Sequence, residues 1–206
     1  MTSFDPGTTA LVLIDMQNDF VHPRGAYARG GIASEAIADI VPRLAAVLQA
    51  ARGAGLLTVS THFTLVEGRG GEPLISPHLQ KLRPFLRAGD FRAGGWGHDV
   101  IAPLAAVDAK VDKVAYSAFH QSRLEWLLRH AGIRHLIVGG IVTNGGVAST
   151  VRHAHVLEFE VTLLTDGCAA IDPKAHEPNI QALASVATPT RCADLAAALD
   201  AVRSRA

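Results

Sequence analysis

Few side chains in this sequence combine a reactive type with a placement that invites chemistry. Asp15 closes the apolar run "TALVLIDM" (9–16), where a carboxylate is costly to bury unless it is paired or protonated. Position alone leaves two readings, an acid–base group or a carboxylate that caps a neighbouring turn. Lys113 opens the run "KVAYSAF" (113–119). Alone it reads as a solvated lysine at a strand start. Placed in one pocket with Asp15, each would offset the other's desolvation. The third place is "GGIVTNGGVAST" (139–150), a strand running into a helix that Asn144 could cap. The first amides of such a helix lack intrahelical partners and carry the positive end of its dipole, a good seat for an anion or a developing oxyanion. Gly145 and Gly146 let a ligand approach the main chain, or simply let a tight turn pack.

The remaining candidates are weaker. Cys168, in "TDGCAA", and Cys192 read as small buried hydrophobes rather than nucleophiles. His62 follows the second strand, but no Asp and second His stand at ligand spacing beside it. His153 and His155 are two apart and lie on different helix faces. No metal and no cofactor are therefore expected.

The elements that must position these groups alternate. Strands are expected at 9–16, 56–63, 113–119, 134–141, 160–167 and near 190–193. Helices are expected at 34–55, with Ser34 as N-cap and Gly55 as stop, and at 122–132, 144–157, 175–187 and from 194 onward. The first and fourth strands are continuous apolar runs, the pattern of strands buried on both faces. Strands alternating with helices predict an α/β fold, a parallel sheet covered on both sides. Such sheets bind ligands at the carboxyl ends of their strands, which selects the residues after Met16, around Lys113 and after Gly140. The stretch 64–98 is rich in Gly, Pro and Arg, and a loop of that length is usually functional.

Composition sets the frame. The 206 residues fit one domain, 1–206, and 49% hydrophobic against 18% charged residues exclude disorder. Lys+Arg and Asp+Glu balance at 19 each, so nothing points to nucleic acid or an anionic membrane. Two cysteines make neither a disulfide framework nor a zinc spacing. "MTSFDPGTTA" is not a signal peptide, and no apolar run is long enough to span a bilayer. A cytoplasmic protein is expected.

Taken together, "ALVLIDMQNDF" (10–20), "KVAYSAFHQSRLEWLL" (113–128), "GGIVTNGGVASTVRHA" (139–154) and "VTLLTDGCAA" (161–170) resemble the isochorismatase-like hydrolase superfamily, the cysteine hydrolase family. The resemblance spans essentially the whole chain. It implies a three-layer α-β-α, Rossmann-like fold with a six-stranded parallel sheet, a homo-dimer or homo-tetramer, and a small-molecule substrate. It also implies a cis peptide between Ile141 and Val142. In most members an aspartate acts as base, a lysine stabilises charge and a cysteine attacks a small amide. Asp15 and Lys113 match, but the cysteine's place in T-N-x-C-V is Gly146.

That departure removes covalent catalysis. The isochorismatases themselves also carry glycine there and hydrolyse a vinyl ether without a thiol. "STHFTLVEGRG" lacks the Asp and two His that metal-bearing nicotinamidases place after the second strand. The leading expectation is thus a hydrolase of a small polar or anionic metabolite, working without a thiol nucleophile, with vinyl-ether hydrolysis as its chemistry. The alternatives are an amidohydrolase in which Asp15 activates water on a small amide or urea, and a catalytically silent binding relative. The expected catalytic set is Asp15, Lys113 and Gly146; the expected substrate-binding set is Val142, Gly145, Phe20, Arg87 and Trp96.

Overall fold

The computed structural model describes residues 4–204. Six strands form one parallel sheet: β1 (Thr9–Ile14), β2 (Leu57–Phe63), β3 (Ala109–Lys113), β4 (His135–Ile141), β5 (Glu160–Ala169) and β6 (Thr188–Thr190). Their spatial order is β3-β2-β1-β4-β5-β6. The chain therefore winds outward from β1 to one edge, then returns to lie beside β1 as β4 and winds to the other. The crevice between the ends of β1 and β4 is the topological switch point, where open α/β sheets hold ligands. Every residue of β1 is buried, as its unbroken apolar run predicts.

The helices are α1 (Asn18–Val21), α2 (Ala26–Arg29), α3 (Glu35–Gly53), α4 (Pro77–Leu82), α5 (Leu124–His130), α6 (Ala148–Val156), α7 (His176–Leu183) and α8 (Cys192–Arg203). They divide the core in two. On one sheet face, Val12, Ile14, Val59, Val111 and Val138 pack with Leu124, Leu128 and Val151. On the other, Leu11, Leu13 and Ile137 pack with Ile40, Leu44, Val47, Leu195 and Leu199. A smaller cluster, Ala26, Tyr27, Leu65 and Phe91, lies under the long loop. Among the described residues no helix is long and apolar enough to cross a membrane.

Several boundaries differ from those expected of the sequence. The third strand runs over Ala109–Lys113, not 113–119. It is an edge strand, and past Lys113 the chain turns away, leaving Val114 and Tyr116 exposed. Helix α8 begins at Cys192, where the Asp166 carboxylate accepts from the Cys192 amide at 2.7 Å. Ser34 precedes α3 but makes no side-chain cap. Asn144 lies inside a wide helical turn, Thr143–Val147, that joins β4 to α6, and caps nothing. The loop after β2 holds the short helix α4, capped by the Ser76 hydroxyl accepting from the Leu79 amide at 3.1 Å.

Candidate active site

Parallel pairing brings the three motifs to one edge of the sheet. Ile14 pairs with Thr61 of β2 and with Gly140 of β4, and Phe63 pairs with Lys113 of β3. Gly140 has φ of 122°, and a Cβ there would stand 2.2 Å from the Ile14 carbonyl oxygen. Only glycine lets β4 approach β1 this closely at the crevice. The Ile141–Val142 peptide that follows is cis.

Asp15 and Lys113, 98 residues apart, meet here. The lysine Nζ lies 2.7 Å from Asp15 Oδ2, with both side chains buried. Lys113 also donates to the Ala115 carbonyl oxygen at 2.9 Å and lies over the Phe63 ring. The second carboxylate oxygen, Oδ1, accepts from the Thr61 hydroxyl at 3.1 Å. Asp15 itself has φ of 55°, held by its amide donating to the Thr61 carbonyl oxygen. Burial pushes the Asp15 pKa up, while the Lys113 charge and the donors from Lys113 and Thr61 oppose that rise.

Gly146 closes the third side. A Cβ at this position would stand 3.3 Å from Asp15 Oδ2 and 2.9 Å from the Ile141 carbonyl oxygen. Its own carbonyl accepts from the Thr150 hydroxyl at 2.7 Å, and Thr150 Oγ1 in turn accepts from the Ala118 amide. That bridge ties the segment after β3 to the start of α6. Asp15, Lys113, Gly146, Val142 and Phe20 all line one cavity of about 310 Å³. That volume lies at the small end of ligand sites, roughly 300–1,000 Å³.

Three of the residues expected to contact substrate are placed differently. Gly145 is not part of the lining; it sits against Val142 and the Tyr116 ring. Arg87 is exposed on the loop, its amide donating to Asp90 Oδ2 at 3.0 Å, away from the cavity. Trp96 points outward against His22 and Arg24, and its carbonyl accepts from the Asn18 side chain and the Asp99 amide. The arginine that does line the cavity is Arg83, whose Nε donates to the Tyr27 hydroxyl at 3.1 Å. Tyr27, Tyr116 and His78 join it. The sequence held no signal separating Arg83 from Arg87 or Arg92, because the turn of α4 decides which of them faces inward. Neither cysteine reaches the cavity. Burial raises the Cys168 pKa, and burial and Asp166 push that of Cys192 up to about 12, so both stay protonated thiols.

The polar residues after Asp15 build the scaffold. The Gln17 side chain accepts from the Phe63 amide at 2.7 Å and donates to the carbonyl oxygens of Phe63 and His98. Asp19 accepts from the amides of Ala26 and Phe91. These buried groups pin the long loop over the crevice, a role that no local spacing signals.

Sheet order, motif placement and cavity geometry together define a doubly wound α/β protein with its candidate site at the β1–β4 switch point. The chain belongs to the isochorismatase family: the isochorismatase domain matches residues 9–194. It is an isochorismatase-like hydrolase. It is 33% identical over 181 residues to ureidoacrylate amidohydrolase RutB of Caulobacter vibrioides, covering 82% of this chain and 80% of that protein. Among solved structures it resembles a cysteine hydrolase from Pseudomonas syringae pv. phaseolicola 1448A, with TM-score 0.81 and 26% identity, covering 98% of this chain and 97% of the other. It also resembles N-carbamoylsarcosine amidase from Thermoplasma acidophilum, with TM-score 0.70 and 25% identity, covering 90% of this chain and 96% of the other.

Proposed function

We propose that this hydrolase cleaves a small, anionic amide or urea-type substrate, with Asp15 activating water directly in place of a protein nucleophile. One observation carries the reading. Asp15 Oδ2 faces the side of Gly146 where a Cβ would stand 3.3 Å away, while both carboxylate oxygens accept from donors, Lys113 and Thr61. Two donors, one of them cationic, favour the ionised form of Asp15, and a carboxylate is a base. Burial raises its pKa toward the range where a general base is most effective. Asp15 takes a proton from water as the water oxygen attacks the carbonyl carbon. The same proton then passes to the departing nitrogen, so an acid and an amine leave. Lys113 keeps Asp15 ionised between turnovers. The helical start beside Ile141 and Val142 offers main-chain donors and a positive dipole end to the oxygen that gains charge. Arg83 supplies a cation for an anionic group at the far wall. The names of the relatives, ureidoacrylate amidohydrolase and N-carbamoylsarcosine amidase, fit the same substrate class.

A second reading is favoured by Gly146 itself, the residue that isochorismatases also carry. In that reading protonated Asp15 delivers its proton to a vinyl-ether carbon, and water captures the oxocarbenium ion. The test is a side-by-side assay of ureidoacrylate, N-carbamoylsarcosine and isochorismate, with Asp15→Ala as control. Turnover of either carbamoyl compound that disappears in Asp15→Ala supports the proposal. Cleavage of isochorismate alone overturns it in favour of the second reading. Activity that survives Asp15→Ala overturns both.

A further inference from the structure

On the sheet face opposite the cavity, the fold assembles a set of ligand atoms that no local spacing announces. Side chains alternate along a strand, so Phe63 and Lys113 face the cavity while His62 and its register partner Asp112 face away from it. His98, at the end of the long loop, folds down onto them. One ligand atom from each of His62, His98 and Asp112 lies within 4.8 Å of the others. His98 Nε2 is already 3.4 Å from Asp112 Oδ1. That separation matches the edge of a tetrahedron built on bonds of about 2.0–2.1 Å, the length of zinc–imidazole bonds. Both imidazoles are buried, whereas Asp112 is largely exposed and free to swing the remaining distance.

We infer that His62, His98 and Asp112 form a binding site for a divalent transition cation of the zinc class, separate from the catalytic cavity. The donor set, two imidazoles and one carboxylate, suits borderline cations rather than calcium or magnesium, which take oxygen ligands. The Ser60 hydroxyl lies 3.0 Å from His62 Nε2 and the Thr64 hydroxyl 2.9 Å from His98 Nε2; both are small rotatable groups that give way when an ion takes a ring nitrogen. Lys110 is the nearby cation, and Asp99 holds its amine at 2.6 Å. Two carboxylates against one ammonium leave the locality negative before an ion arrives.

The three ligands come from β2, the loop end and edge strand β3. An ion would therefore clamp the open edge of the sheet to the loop that covers the active site. Gln17 extends the clamp, because its amide holds the His98 carbonyl on one side and the Phe63 main chain on the other.

The experiment uses chelator-treated, full-length protein titrated with Co2+ and then competed with Zn2+. The expected result is one ion per chain, the visible absorption of a low-coordinate Co2+ site, and a melting midpoint raised by equimolar Zn2+. Asp112→Ala, at an exposed position that folding tolerates, and His98→Gln each weaken binding by about tenfold or more. His130→Ala, on the exposed end of α5, leaves it unchanged. Absence of saturable binding at micromolar metal overturns the inference, as does binding that survives either Asp112→Ala or His98→Gln.

Discussion

At the scale of single residues, the site turns on the coupling between Asp15 and Lys113. Replacing Asp15 by Asn keeps the shape but removes the base, so hydrolysis falls by about 10²–10⁴-fold. It also leaves the Lys113 charge buried without a partner, a loss of about 3–5 kcal/mol in urea unfolding. Asp15→Asn combined with Lys113→Met recovers stability and stays inactive, which separates the structural role of the pair from its chemistry. Lys113→Met alone has a signature in pH. The base must be ionised, so activity falls as pH drops through the raised Asp15 pKa. Lys113 holds that pKa down, and its removal moves the acidic limb of kcat/KM to higher pH. A limb that stays in place would show that Asp15 is not the titrating group. Gly146→Cys probes the third corner. The new Cβ must be eased from the Ile141 carbonyl oxygen, and the thiol then lies against Asp15 near the helical start. Mass spectrometry after iodoacetamide should find one label in native Gly146→Cys and none in the native parent, whose two thiols are buried. Equal labelling of both proteins would contradict the placement.

At the scale of elements, the sequence was most readable where burial on both faces leaves a strand no alternative. The apolar runs of β1 and β4 announced those strands, and the helix-to-strand alternation announced the parallel sheet. Edge strand β3 ends where its apolar run begins, because the residues after Lys113 serve the cavity mouth instead of a sheet interior. Asp15, Lys113 and Gly146 stood out in sequence because each sits at the end or start of such a run. Arg83, Tyr27 and His78 did not, because their inward orientation depends on the path of a loop that no periodicity describes. His62 looked unaccompanied for the same reason: His98 and Asp112 reach it only through tertiary folding. Gly140 tests the element-level account. Its φ of 122° and the 2.2 Å approach to the Ile14 carbonyl oxygen exclude any side chain. Gly140→Ala should cost more than about 3 kcal/mol, since β1 and β4 must separate at the crevice. Gly55→Ala, at φ of 79° with open space around it, should cost only about 1–2 kcal/mol. Equal losses in denaturant melts of the two variants would show that β4 can accommodate a side chain at the switch point.

At the scale of the whole molecule, the sheet supplies Asp15 and Lys113 to the cavity, while a loop with its own small core supplies part of the facing wall. The two sheet-face cores hold β1, β4 and the long helices together. The loop rests on its own small cluster, centred on fully buried Phe91, whose ring packs against Phe20, Tyr27 and Phe63. Segments with small cores of their own open at lower free energy than the fold as a whole. Phe91→Ala removes the centre of that cluster, a change that costs about 3–5 kcal/mol where the site cannot collapse. The loss should be confined to the loop. Hydrogen exchange of the amides in 64–98 is expected to accelerate, while amides of β1 and β4 keep their protection. Because Tyr27 and Arg83 line the cavity and Asp15 stays seated on β1, KM should rise more than kcat falls. If β1 and β4 lose protection together with the loop, the wall and the catalytic floor are one cooperative unit, and substrate selection is not separable from the sheet.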